Sequence, residues 1–252
     1  MKRAILAAVA LAAAGCGGSN TPATVPEKRV AVSYFHVDPA TAGTIHGTIL
    51  YKGPKPTRKV IDMESDAGCQ KAHEGSPAYD QPIMVGKKDG LEYAFVYIKS
   101  GLEGKKFEPS KQQVVLDQHG CQFVPRVMGI EAGSMLDLKN SDSVSHNIHL
   151  MPKNSYEWNQ QQSPNAPDVT HKMVRQEVMI PIKCNVHSWM HAYIGVVDNP
   201  YFAVTDADGS FEWKNVPPGD YTVGIWHERL GEQTEQVHVA PSGSAAVDFT
   251  YR

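Results

Sequence analysis

The sequence is short of positive charge. Its 24 Lys and Arg stand against 27 Asp and Glu, a formal net charge of −3. Losing Lys2 and Arg3 from the N-terminus would move it to −5. That balance excludes the basic footprint that nucleic-acid binding rewards. Long apolar runs are also missing. Ala4 to Ala14 is apolar but too short to span a bilayer as a permanent helix, and no later segment qualifies. After the N-terminal stretch no segment sustains a helical hydrophobic period, which argues against an α-helical domain. Methionines such as Met128, Met135, Met151, Met173 and Met179 are scattered, without the repeated motif expected of a methionine-rich metal carrier. Cysteine is scarce, with four in 252 residues, so each one needs a reason.

The N-terminus supplies the first reason. "MKRAILAAVALAAAGCGGSN" has a basic head, a short apolar run and small residues leading into Cys16. It resembles a bacterial lipoprotein signal, although Ala13 stands where that signal usually has Leu. The resemblance implies cleavage after residue 16's predecessors, lipidation of Cys16, export, and anchoring to a membrane. A plain signal peptide cut nearby is the alternative. Gly17, without an acidic residue after the lipid site, points to the outer membrane. Residues 17–42, mostly small, polar or Pro-containing, are expected to form a tether.

Three cysteines remain: Cys69, Cys121 and Cys184. Export favours disulfides, yet an odd number cannot all pair. One thiol must stay reduced, and metal ligation is a reason for it to do so. The expectation is a Cys69–Cys121 disulfide. The competing reading joins Cys69 and His73 of "CQKAH" with His119 and Cys121 of "HGC" in a second metal site.

The fold class expected is all-β. Short alternating runs recur between Gly, Pro, Asn and Asp. Ile45, Ile49 and Tyr51 share one face of "TIHGTILY". "LEYAFVYIK" puts Tyr93, Phe95 and Tyr97 on one face and Ala94, Val96 and Ile98 on the other, so both sides should be covered. Val178, Ile180, Ile182 and Cys184 fall on one face by period two. The polar stretch "KNSYEWNQQQSPNAPDVTHK" is expected to be a long loop.

Two modules emerge. "VTDADGSFEWKNVPPGDYTV", with Asp- and Gly-bearing turns at 206–209 and 217–220, resembles the carboxypeptidase regulatory-like, or transthyretin-like, β-sandwich family. That family's first strand resembles Gly43 to Ile49. The resemblance implies a discontinuous sandwich over 43–104 and 199–252, with another β domain over 105–198 inserted into one of its loops.

The inserted block carries the chemistry. Cys184, His187 and Met190 occur in "CNVHSWM", and His146 in the upstream "SHNIHLM". Two imidazoles and a thiolate in a plane, with a weak axial thioether, suit copper that alternates between Cu(I) and Cu(II). The Cys-x-x-His-x-x-Met loop and the Ser-His-Asn-Ile-His stretch resemble the cupredoxin family, in particular its amicyanin-like short loop. The resemblance implies a Greek-key β-sandwich, one copper ion held by His146, Cys184, His187 and Met190, and Asn147 tying the first-His strand to the cysteine loop. Trp189 and His191 would form the docking rim, with His191 also a competitor for the axial position. His149 falls on the opposite face and reads as a packed or surface histidine. Zinc could use one Cys and two His with water, but the thioether argues against it. His36, His46, His171, His227 and His238 read as surface or satisfied β residues.

The function expected is single-electron transfer between redox partners, not catalysis. Electrons would pass through an exposed edge of His187 to a c-type cytochrome or copper oxidase docked on a small surface. The alternatives are periplasmic copper binding and delivery, and a surface-binding β-sandwich in which the metal site is accessory.

Overall fold

The computed structural model describes residues 32–252. The signal, the lipidation site Cys16 and residues 17–31 of the expected tether lie outside them. Residues 32–42 carry no regular structure, but Phe35 is docked. Its amide donates to Lys106 O at 2.6 Å and its ring meets Phe107 edge-on.

The chain is nearly all β, as its alternation predicts. In order it forms β1 (Gly43–Tyr51), helix α1 (Ala67–Ala72), β2 (Phe95–Ser100), β3 (Val114–His119), β4 (Gln122–Val124), β5 (Val127–Glu131), β6 (Met135–Asn140), β7 (His146–Leu150), β8 (Trp158–Gln162), β9 (Val169–Lys172), β10 (Glu177–Lys183), β11 (His191–Val197), β12 (Phe202–Val204), β13 (Ser210–Val216), β14 (Gly219–His227), β15 (Gly231–Val239), β16 (Ser244–Ala246) and β17 (Phe249–Tyr251). Among the described residues no helix is long and apolar enough to cross a membrane.

These strands make four sheets and two main cores. Sheet β13-β1-β16, with β17 also on β1, and sheet β12-β2-β14-β15 contribute Ile45, Ile49, Val96, Trp213, Tyr221 and Ile225 to one core. Sheet β5-β11-β10-β7-β8 and sheet β4-β3-β6-β9 contribute Leu116, Leu136, Ile148, Ile182 and Ile194 to the other. Alternation in β2 sends Val96 and Ile98 into the first core, beside Ala94 just before the strand. Phe95 and Tyr97 go the opposite way, onto Val127, Met179 and Val197 of the second sandwich. Both faces of β2 are buried, as its sequence implies. Close approach there needs small residues. A Cβ on Gly195 would stand 2.4 Å from Phe95 Cζ, and one on Gly129 2.4 Å from Phe202 Cδ2.

Three local expectations change. The polar stretch expected as a loop contains β8 and β9. In β8 the burial alternates, and Gln162 is buried because its side chain is paired: Nε2 donates to Leu138 O at 3.1 Å, and Oε1 accepts from Gln118 Nε2 at 2.7 Å. Polar composition hides a strand whose inward face is amide rather than hydrocarbon. In β10 a register shift between Glu177 and Ile180 takes Val178 off the face shared by Ile180, Ile182 and Cys184. Finally, Met63, Cys69 and Ala78, in the range 43–104 expected to belong to the outer sandwich, pack on the second core. The disulfide fastens that segment there.

Candidate metal centre

His146 opens β7, and Cys184 follows the end of β10. Those strands pair directly, with Ile182 opposite Leu150 and Lys183 opposite His149. Beyond Cys184 the chain curls back. Met190 N donates to His187 O at 3.0 Å and Cys184 N to Met190 O at 3.1 Å, closing the Cys-x-x-His-x-x-Met loop on itself. Asn147 Oδ1 accepts the Asn185 N–H, and Asn147 Nδ2 donates to Asn159 Oδ1. One amide thus joins the histidine strand to the cysteine loop.

Three side chains converge. Ligand atoms of His146, Cys184 and His187 all lie within 4.8 Å of one another, and all three residues are buried. His146 Nδ1 is 2.9 Å from His187 Nδ1, and Cys184 Sγ is 3.8 Å from His187 Nδ1. A first-row ion about 2 Å from each nitrogen and about 2.3 Å from sulfur suits such a triangle. Cys184 is the one free cysteine among the described residues. Met190 is buried at the end of the loop, in the same core cluster as Cys184.

The outer edges of the imidazoles are braced by carboxylates. His146 Nε2 donates to Asp142 Oδ2 at 2.8 Å, and His187 Nε2 to Asp66 Oδ2 at 3.2 Å. Each bond places the ring proton on Nε2 and leaves Nδ1 facing the cluster, the orientation a metal needs. Asp142 is itself fixed. Its Oδ1 accepts from Gly120 N at 2.7 Å, its Oδ2 from Cys121 N at 2.8 Å. Asp66 caps α1, with Oδ1 accepting from Gly68 N at 2.8 Å and Cys69 N at 2.9 Å.

The electrostatics match a thiolate site. Burial raises the Cys184 thiol, but hydrogen bonds from His146 and from backbone N–H groups, including that of His187, outweigh it and lower the pKa. Burial pushes His146 down, yet the Asp142 carboxylate and the Cys184 sulfur lift it to about 9. Both shifts favour a charged sulfur beside a charged imidazole, and an ion bound here would take the place of a proton.

Two expectations about the rim are corrected. His187 has no exposed edge: it is 2% exposed. Asp66 and α1 cover it, and Cys69 Sγ lies 3.8 Å from its Nε2. His191 is no axial competitor. Its Nδ1 donates to Trp189 O at 3.0 Å, and its Nε2 accepts from Arg126 Nη2 at 2.6 Å. Both ring nitrogens are engaged away from the cluster. Burial and the Arg126 guanidinium hold its pKa down. Arg126 is held in turn by Glu228 at 2.7 Å. Trp189 is half-buried, its ring 5.0 Å from that of His187 and its Nε1 donating to Cys121 O at 2.9 Å. A cavity of about 350 Å³, lined by Trp189, Met190, His191, Arg126 and Phe123, opens on this side. His149 is buried between Asn185 Oδ1, 3.0 Å away, and Glu157.

Cys69 and Cys121 are disulfide-bonded, so the four-residue second site of Cys69, His73, His119 and Cys121 does not form. His73 Nε2 instead meets Gly120 O at 2.7 Å. Gly120 and Cys121 have φ of +60° and +53°, the pair of positive angles of a type I′ turn between β3 and β4. That turn presents Cys121 to Cys69. Sequence reading missed Asp66 and Asp142. Asp66 had a local signal, an N-cap Asp before "AGCQKA", and Asp142 had none beyond its place four residues before His146.

The family model for domain II of polysaccharide lyase family 4 matches residues 175–247. A search of curated proteins found no match. Among solved structures, a Cu-containing nitrite reductase from Thermus scotoductus SA-01 aligns at 16% identity and a TM-score of 0.32, covering 40% of this chain and 25% of that one. A purple cupredoxin from Nitrosopumilus maritimus aligns at 18% identity and 0.29, covering 33% and 99%. Amicyanin from Paracoccus versutus aligns at 13% identity and 0.31, covering 40% and 96%. The chain thus spans a quarter of the nitrite reductase's length. These likenesses are local and distant; the geometry itself gives a buried, carboxylate-braced Cys-His-His cluster in an all-β chain.

Proposed function

We propose that this chain is an exported, lipid-anchored copper protein that carries single electrons. His146, Cys184, His187 and Met190 would hold the ion. The observation that carries the reading is the convergence of two Nδ1 atoms and one free, acid-shifted thiol in a buried site. When bound, copper would supply a one-electron couple, with thiolate favouring Cu(I) and imidazole serving both states.

The protein's own residues do the rest. Asp142 and Asp66 hold the ring tautomers and stop the imidazoles turning. The His187 N–H, 3.4 Å from Cys184 Sγ, stabilises thiolate charge. Asn147 keeps the two halves in register. Burial of all three ligands excludes water and favours retention over handing the ion on, which sets the carrier reading above copper delivery.

Because His187 is covered, electrons take another way out. The loop presents Val186, 59% exposed, two residues from Cys184, and Trp189 leads from His187 toward the cavity beside Met190. A c-type cytochrome or copper oxidase would dock over these. The outer sandwich, whose core draws on 45–102 and 201–251, would be the host into which the copper domain is inserted.

Adding Cu(II) to the purified protein tests the reading. The expected result is an intense thiolate-to-copper band that disappears in Cys184→Ser. A parent spectrum of simple histidine-bound copper would rule the carrier out.

A further inference from the structure

Glu177 and Glu228 sink their carboxylates into this fold, and both are answered. Glu177 accepts from Lys153 N at 2.6 Å and from Asn154 N at 2.8 Å, one amide on each oxygen. Glu228 is paired with Arg126 at 2.7 Å. Glu131, at the end of β5, is 7% exposed and differs from them. Its Oε2 accepts from Ser110 N at 3.2 Å, and its Oε1 has no partner among the described residues. Burial pushes its pKa up, against that one N–H. A buried carboxylate left half-bonded is costly, and an amide or a hydrocarbon side chain would serve packing better.

A second orphan lies on the same turn. Between β5 and β6, Ser134 Oγ is buried and has no hydrogen-bond partner. Backbone bonds hold that turn in place: Ser134 N donates to Glu131 O at 3.1 Å, Gly133 N to Met173 O at 2.6 Å and Ala132 N to Val197 O at 2.7 Å. Glu131 and Ser134 line one cavity of about 650 Å³, to which Phe202 and Pro200 of the outer sandwich add apolar surface. Glu108 supplies a second carboxylate there, and no Lys, Arg or His lines the cavity. Unclaimed acceptors, negative charge and an aromatic ring suit a cation with a hydrocarbon body. We propose that this cavity binds a small aliphatic amine in its ammonium form, with Glu131 and Ser134 accepting its N–H groups and Phe202 meeting its chain. An ammonium group carries three donors and no acceptor. It therefore answers both orphans and brings no lone pair of its own to be satisfied. An anionic ligand would meet two carboxylates and no cation. A neutral alcohol would leave the charge of Glu131 unbalanced.

The test uses the full chain without added metal and a matched pair of probes, pentylamine and 1-pentanol. They share a hydrocarbon chain and differ in the charged head. Titration calorimetry at low ionic strength should give saturable one-to-one binding of pentylamine, with a Kd of about 1 mM or lower, and none of pentanol. Glu131→Gln keeps the shape and an acceptor for Ser110 N but removes the charge. It should weaken amine binding by about tenfold or more. Ser134→Ala should weaken it by about threefold. Pentylamine should also raise the melting midpoint of the parent, and raise it less in both variants. Three results would overturn the proposal: no saturable amine binding, equal binding of pentanol, or unchanged affinity in Glu131→Gln. Should Glu131→Gln fail to fold, Ser134→Ala decides, and full affinity there counts against the site. No copper enters this experiment, so the amine site and the copper reading stand or fall separately.

Discussion

The core around Ile45, Trp213 and Tyr221 and the core around Leu116, Ile148 and Ile182 differ in what they bury beside hydrocarbon. The first sandwich takes in little polar material: Asn199, Thr205 and His227. The second buries Gln118, Asn140, His146, Asn147, Gln162 and His187. Most of these are tied together. Gln118, Gln162 and Asn140 link β3, β6 and β8, and Asn140 Nδ2 also bonds Val144 O, shaping the turn that delivers Asp142 and His146. Desolvating so many polar groups costs free energy that apolar side chains of similar size would not. The first sandwich packs its core with few of them. In the second they are the frame that brings His146, Cys184 and His187 to one point.

This contrast can be broken in a graded way. The largest effect expected is chemical: Cys184→Ser should abolish the thiolate-to-copper band while leaving the fold intact, because Ser is smaller and the loop is held by backbone bonds. Met190→Leu should keep the colour and raise the reduction potential, since it removes a weak donor to Cu(II).

Opening the clamp over the second sandwich comes next. Cys69→Ser with Cys121→Ser releases a cross-link between residues 52 apart. On the chain-entropy account this should cost about 4 kcal/mol, read as a lower midpoint in guanidinium. It should also speed stripping of copper by a chelator, because α1 would no longer be fastened over His187. Equal stripping rates would mean that the lid does not protect the site.

Phe95→Ala probes the seam between the two sandwiches. Phe95 is fully buried and stacks on Tyr97 at 5.6 Å. Its loss should cost about 3–5 kcal/mol and leave the copper spectrum unchanged. Calorimetry should then resolve two unfolding transitions where the parent has one.

Acid should strike the first sandwich through His227. Burial, then Arg126 and Arg229, lower its pKa from 6.5 to about 4. Between those values the unfolded chain binds a proton that the folded chain refuses. Stability is therefore full above about pH 6.5 and falls as pH drops toward 4, by about 3 kcal/mol in total. Urea midpoints across that window should fall in the parent and be flatter in His227→Gln. The smallest effect belongs to the surface. Asp220→Asn, which breaks the exposed pair with His238, should change stability by less than about 0.5 kcal/mol.

Much of this was written in the sequence, and the failures have physical causes. Strict alternation in β2 announced two covered faces, and the order His146, Cys184, His187 announced convergence, because strand period and ligand chemistry are both local. β8 was hidden because its inward residues are glutamines, whose burial depends on partners in β3 and β6. Asp66 and Asp142 were hidden because a carboxylate's value here lies in a histidine brought to it by folding. His187's cover was hidden for the same reason. Nothing in "DAGCQKAH" says which module it packs against, and only the disulfide, with Met63 and Ala78 beside it, decides that.

The most direct measurement of the central claim is X-ray absorption at the copper edge of the metal-loaded full chain. The account predicts a shell of one short sulfur and two imidazole nitrogens, with the sulfur lost in Cys184→Ser and kept in Cys69→Ser with Cys121→Ser. A shell of nitrogen and oxygen alone, or a sulfur that survives the loss of Cys184, would contradict it.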